Sequence, residues 1–117
     1  MPTKWRIRLG GEAERDFVGI ITWTAEQFGR NQAKVYRDTL TAALRALGAG
    51  PEVAGSRARD ELGAGVRSLH VARVGRRGSH LVFYRLAGSD QIDVLRILHE
   101  TMDPIRHTRR TIDQDKQ

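Results

Sequence analysis

The sequence predicts an α+β domain in which an antiparallel sheet, an N-terminal strand plus a three-strand C-terminal meander, packs against an N-terminal α-helical hairpin. Three observations carry this. A short alternating run opens the chain, two long stretches with helical periodicity follow, and three strand-like runs on hairpin-length loops close it. Helices segregated from tightly connected strands are accommodated most simply by one sheet with the hairpin across one face.

Each element has its own local reason. From Lys4 to Leu9, Trp5, Ile7 and Leu9 alternate with Lys4, Arg6 and Arg8, the pattern of a half-buried strand. Gly10-Gly11 interrupts it. Ala13, Phe17, Ile20, Ile21, Thr24 and Phe28 then recur at the spacing of one helix face, which places helix 1 at about Glu12 to Phe28, with Glu12, Glu14 and Asp16 beside its positive end. Gly29 suits the turn into a second helix, whose stripe is Ala33, Tyr36, Leu40, Ala43, Leu44 and Leu47 and which closes at Gly48-Ala49-Gly50-Pro51. Pro51 to Gly65 reads as a surface connection with one helical turn at Arg57 to Glu61. Val66–Val74, Ser79–Leu86 and Gln91–Leu98 read as strands of a meander. Asp103-Pro104 predicts one short helical turn, followed by a polar, frayed end.

At 117 residues the chain is expected to form a single domain over 1–117, with its core at about 4–107 and a polar tail at 108–117. The absence of cysteine excludes disulfides, thiolate metal sites and a Cys nucleophile. No run is long and apolar enough for a signal peptide or a membrane span, so the expectation is a soluble, cytoplasmic protein with no membrane partner. The formal charge is +6, and seventeen of the twenty basic residues are arginine. Nine of those arginines lie between Val66 and Arg110 against four acids, a local surplus of five that should attract nucleic acid or an acidic protein.

No phosphate-binding loop, nucleophile elbow or metalloprotease helix is present, and the four histidines lack metal-ligand spacing, so no metal and no cofactor is expected. What remains is an arginine and histidine constellation. Strand alternation places Arg67 with Leu69, and Arg96 with Val94 and Ile92, so that Arg67 and Arg96 could face the same way and grip a phosphate while His99 moves a proton. Arg96 has a second reading, an internal ion pair with Asp16 or Glu100, because a charge inside an apolar run costs several kcal/mol (order of magnitude) unless paired. His99 likewise has a second reading as the cap of a strand end, while His70 and His80 fall in exposed-looking hairpin arms and receive no role.

The ordered pieces Ala13-Glu14-Arg15-Asp16, Phe28-Gly29, Gln32-Ala33 with Tyr36, Gly65-Val66-Arg67-Ser68, Phe83-Tyr84-Arg85, and Val-Leu-Arg-Ile-Leu-His followed by Met102-Asp103-Pro104 and His107 resemble the ParE toxins. These form one branch of the ParE/RelE superfamily of toxin–antitoxin pairs, and the resemblance spans roughly residues 4 to 107. It implies an α+β fold, a cognate ParD-like antitoxin whose C-terminal segment wraps the toxin, and operator DNA bound indirectly through that antitoxin. For a ParE-like toxin the implied target is DNA gyrase, engaged without hydrolysis and with no catalytic residue. The RelE branch instead cleaves mRNA on the ribosome, and Arg67 and Arg96 match two of its basic positions, with His99 as the acid/base. The C-terminal tyrosine of that branch is missing, since the only tyrosines are Tyr36 and Tyr84. On this reading Arg67, Arg96, His99, Met102, Asp103, Arg106 and His107 face the target. The antitoxin is assigned to a groove between the hairpin and the sheet, lined by Trp5, Phe17, Ile21, Tyr36 and Leu40. A third possibility, a plain nucleic-acid-binding module, has only Phe83 and Tyr84 as aromatics among its basic residues.

Overall fold

The computed structural model describes residues 5–115. They form, in order, β1 (Arg6–Leu9), α1 (Gly11–Phe28), α2 (Arg30–Ala46), β2 (Ser56–Ala58), β3 (Arg67–His70), β4 (His80–Leu86), β5 (Gln91–His99) and α3 (Pro104–Asp115), with short 3-10 turns at Leu47–Ala49 and Val71–Val74. The strand order is β1-β5-β4-β3-β2. The α+β architecture with an N-terminal helical hairpin on the sheet is thus as the sequence predicts. The expected strand start at Lys4 and the end of the tail at Lys116 and Gln117 lie outside the described residues.

The main core is where the helix stripes meet one face of the sheet. Ala13, Leu40, Ala43 and Leu47 pack on Leu69, Val71, Val82, Tyr84, Ile92, Val94 and Ile97, all essentially inaccessible to water. Each large side chain in this layer contributes about 1.5–3 kcal/mol of transfer free energy. A smaller cluster of Val66, Leu95, Ile112 and Leu62 forms on the opposite face, beneath α3. Between the layers, the Tyr84 hydroxyl (2.6 Å) and Arg67 Nε (2.8 Å) both donate to the Pro51 carbonyl. That carbonyl sits in an irregular connection and would otherwise lack a backbone partner.

Several expectations require correction. The sheet is mixed, because β1 runs parallel to β5, with Ile7 opposite Ile92 and Leu9 opposite Val94. Alternation sets which face a strand buries, and it carries no information about the direction of its neighbour. The connection after Pro51 contains a fifth strand at Ser56–Ala58, antiparallel to β3, where a helical turn at Arg57–Glu61 was expected. Ser56 Oγ accepts from Arg67 at 2.8 Å, a contact 11 residues away that local pattern could not reveal. The strand expected over Val66–Val74 is β3 and stops at His70, since His70 Nδ1 accepts the Ala72 N–H at 3.1 Å and starts a 3-10 turn that ends at Gly75 with φ 85°. The C-terminal turn is a 12-residue helix, and Thr108 and Ile112 on it are buried, so the ordered core runs past His107 into the expected tail.

One irregularity decides the geometry of the site. In β4 and β5 Tyr84 pairs with Val94 while Phe83 pairs with Arg96, so Leu95 is an extra residue in β5. A bulge of this kind breaks the alternation of faces. Because Arg67 pairs with Tyr84 and Arg96 with Phe83, the two arginines lie on opposite faces of the sheet.

Candidate binding groove

β1 ends opposite Val94, which leaves the C-terminal half of β5 without a strand neighbour on that side. The chain turns at Gly10, whose N–H still reaches the Val94 carbonyl at 3.0 Å, and α1 then runs along this edge. Asp16, just past the first turn of α1, meets the bulge. Its carboxylate accepts Arg96 Nε at 2.7 Å, Arg96 NH2 at 2.9 Å and the Ile97 N–H at 2.9 Å. The remaining Arg96 nitrogen, NH1, donates to the His107 carbonyl in α3 at 2.6 Å. These contacts push the guanidinium pKa above its usual value, hydrogen bonding to Asp16 being the main cause. Of the two readings of Arg96, the geometry is that of the internal pair, with Asp16 as the acid.

Beyond this pair the edge opens into a groove of about 380 Å³ lined by Arg15, Gly19, Ile20 and Trp23 of α1, His80 of β4, Leu98 and His99 of β5, and Met102. Trp23 is 55% exposed and stacks edge-on against Phe28 at 5.8 Å. At the floor lies a chain of aromatic donors and acceptors. The Tyr36 hydroxyl accepts the Ser79 N–H at 3.1 Å and shares a hydrogen bond with His80 Nδ1 at 2.5 Å, and the His80 ring meets the His99 ring edge-on at 5.2 Å. Gly78 permits this approach, since a Cβ there would overlap a methyl of the fully buried Val71 and crowd the Tyr36 hydroxyl.

Burial, assisted by the neighbouring His99, holds His80 neutral and lowers its pKa to about 4, while burial raises that of Tyr36. His70 donates from Nε2 to Glu100 at 2.7 Å, and that hydrogen bond lowers the Glu100 pKa. A pH effect follows. The folded protein resists protonation of His80, which titrates near 6.5 when unfolded, so its contribution to stability is complete above about pH 6.5 and is lost as pH falls towards 4. Thermal melts between pH 7.5 and 4.5 are expected to show a falling Tm that flattens in His80→Asn, whose side-chain amide can replace Nδ1 as the partner of Tyr36. An equal slope in the variant would assign the effect to other groups.

The site residues expected from sequence are distributed unevenly. Arg96, His99 and Met102 line the groove. Arg67 is on the other face, held by Pro51 and Ser56, so the expected two-arginine phosphate grip does not form. His99 Nδ1 accepts the Thr101 N–H at 3.2 Å and contacts Thr101 Oγ1 at 2.8 Å, the arrangement of a strand-end cap. Asp103 begins α3, its carboxylate accepting the Ile105 N–H at 3.1 Å, and Arg106 and His107 follow on that helix. The groove expected between hairpin and sheet is the core itself: Leu40 is fully buried, and Trp5, Phe17, Ile21 and Tyr36 pack against it. Long apolar stripes fill their own interface first, and these five side chains belong to it. Sequence reading missed Arg15, Gly19, Trp23 and His80 as groove residues. Signals existed for two of them, a glycine inside a helix and a tryptophan off the apolar stripe.

Comparison with known proteins gives the architecture a family. Residues 7–104 match the family model described as ParE toxin of type II toxin-antitoxin system, parDE. Toxin ParE1 of Mycobacterium tuberculosis (strain H37Rv) is 35% identical over 102 residues, covering 87% of this chain and 96% of the relative. Toxin ParE1 of Caulobacter vibrioides is 29% identical over 100 residues, covering 86% and 94%. A chain from the solved structure of the chromosomal ParDE TA system from P. aeruginosa superposes with a TM-score of 0.64 at 20% identity, over 83% of this chain and 97% of that one, and so shares its fold. With the family match covering most of its length, this chain belongs to the ParE toxins of type II toxin–antitoxin systems.

Proposed function

We propose that this chain is a growth-arresting toxin that binds DNA gyrase without hydrolytic chemistry and is silenced by a ParD-like antitoxin, which also carries the pair to operator DNA. Family membership implies the antitoxin partner. The observation that most supports binding over RNA cleavage is the engagement of the arginines. Arg96 is engaged through all three of its nitrogens by Asp16 and the His107 carbonyl, and Arg67 is tied to Pro51 and Ser56 on the other face. An endonuclease needs cations free to meet a phosphate as charge develops, with an acid/base in reach of the same atoms. The His99 nitrogen nearest the strand end is instead turned to Thr101.

The exposed C-terminal surface suits target binding better. Met102 and Ile105 are 36% and 44% exposed beside Arg106, Arg109 and Arg110, giving apolar anchors within a cationic rim. Purified toxin is expected to inhibit gyrase supercoiling at near-stoichiometric ratios and to leave ribosome-bound mRNA intact. Supercoiling unaffected at toxin excess, together with cut mRNA, would replace this reading with the endonuclease.

A further inference from the structure

Residues 62–89 contain five arginines and no acid. Two of the five are absorbed by the fold: Arg67 holds the Pro51 carbonyl and Ser56, and Arg85 has a partner of its own. The other three, Arg73, Arg76 and Arg77, stand exposed on the connection between β3 and β4, with no ion pair or hydrogen bond among the described residues. Elsewhere the fold matches arginines to acids, Arg6 with Asp90, Arg8 with Asp93, Arg59 with Glu61 and Arg96 with Asp16. The carboxylate at the root of the loop, Glu100, is hydrogen-bonded to His70. The three cations are therefore left to a partner.

The root of this loop is fixed on both sides. The Ser79 N–H is accepted by the Tyr36 hydroxyl at 3.1 Å, and the Ser79 carbonyl accepts the Glu100 N–H at 2.8 Å. The stem of Arg73 lies against Gly55, where a Cβ would come within 2.9 Å of the Arg73 Cβ. Gly75, at φ 85°, turns the chain between Arg73 and Arg76. A loop held in this way has less order to gain on binding.

The chemistry of the loop selects the partner. Protein partners draw most of their affinity from apolar and aromatic anchors, and none of the exposed large apolar side chains among the described residues lies between Ala72 and Ser79. Single-stranded nucleic acid is gripped by stacking its bases on aromatic rings, and the loop has no aromatic residue. The phosphate backbone of a duplex needs neither. It asks for cations, and a guanidinium can meet two phosphate oxygens at once.

We propose that the loop from Ala72 to Ser79 binds the phosphate backbone of duplex DNA without reading its sequence, which gives the toxin a DNA contact of its own beside the one reached through the antitoxin. The contact requires neither gyrase nor the antitoxin.

The test is fluorescence anisotropy of labelled DNA duplexes of about 30 base pairs, titrated with the full-length toxin across a range of salt. Two duplexes of unrelated sequence should bind within twofold of each other and more tightly than single-stranded RNA of the same length. Replacing Arg73, Arg76 and Arg77 together with Gln should weaken Kd at least tenfold at low salt and reduce the slope of log Kd against log salt by about three, roughly one for each lost phosphate contact. Arg76→Gln with Arg77→Gln leaves the packed stem of Arg73 in place and should reduce the slope by about two. The control is the triple change Arg30→Gln, Lys34→Gln and Arg37→Gln on α2, which removes the same charge from exposed residues that also lack partners and should stay within threefold of wild type. An equal loss in this control would show attraction by net charge alone and overturn the proposal. Wild-type binding by the folded double variant, or displacement of the DNA by polyglutamate of equal charge as readily as by unlabelled duplex, would overturn it too.

Discussion

Replacing Asp16 with alanine is expected to cost about 2–3 kcal/mol of unfolding free energy, because it leaves a largely covered guanidinium without its counter-charge. The side chains of Arg96 and Asp16 are 17% and 15% exposed, so solvent replaces only part of what each charge gives the other. The same change removes the acceptor of the Ile97 N–H on an edge that has no strand neighbour, so a backbone donor is stranded as well. For a chain of this size a loss of that order lowers Tm by roughly 10 °C or more. Denaturant unfolding of Asp16→Ala, Arg96→Met and the double variant would measure it. The double variant should cost clearly less than the sum of the two singles, since it leaves no unpaired charge. A single-variant loss under about 1 kcal/mol would give the pair the weight of a surface contact and would return Arg96 to consideration as a phosphate-binding cation.

The Asp16–Arg96 pair also shows where sequence reading reaches and where it stops. The need for a partner was legible, because Arg96 sits in the apolar run Val94, Leu95, Ile97, Leu98, and Asp16 was one of the two acids available to it. The bulge at Leu95 was not legible. Nothing in Val-Leu-Arg-Ile distinguishes a regular strand from one with an extra residue, and that one residue puts Arg67 and Arg96 on opposite faces. The helices were legible because seventeen or eighteen residues of period 3.6 leave little choice. β2 was not, since three residues of small and polar character become a strand only through the β3 edge beside them. The extent of α3 was hidden for a similar reason. Among its described side chains Thr108 and Ile112 are buried, and the partners of Ile112, Val66 and Leu95, are far away in the chain. The groove was half legible: His99, Arg96 and Met102 come from the informative C-terminal stretch, while Gly19 and Trp23 matter only once α1 is laid along the edge of β5.

That hidden helix changes what a C-terminal truncation can report. A chain ending at Glu100 is expected to lose both toxicity and much of its stability, because it uncovers Val66 and Leu95 and removes the His107 carbonyl that holds Arg96 NH1. Uncovering the cluster and breaking a charged hydrogen bond together cost about 3 kcal/mol or more, so loss of growth arrest in the truncated chain would follow from unfolding alone. Substitution on the outward face separates the two causes. Ile105, Arg106 and Arg109 are exposed on α3, whereas Thr108 and Ile112 are buried. A triple change, Ile105→Ser with Arg106→Glu and Arg109→Glu, should leave Tm close to wild type, since exposed substitutions of this kind are each usually within about 0.5 kcal/mol. The same variant should need at least ten times more protein to inhibit gyrase supercoiling, because it removes an apolar anchor and inverts the charge of its rim. Undiminished gyrase inhibition by the folded triple variant would remove α3 as the target-facing surface.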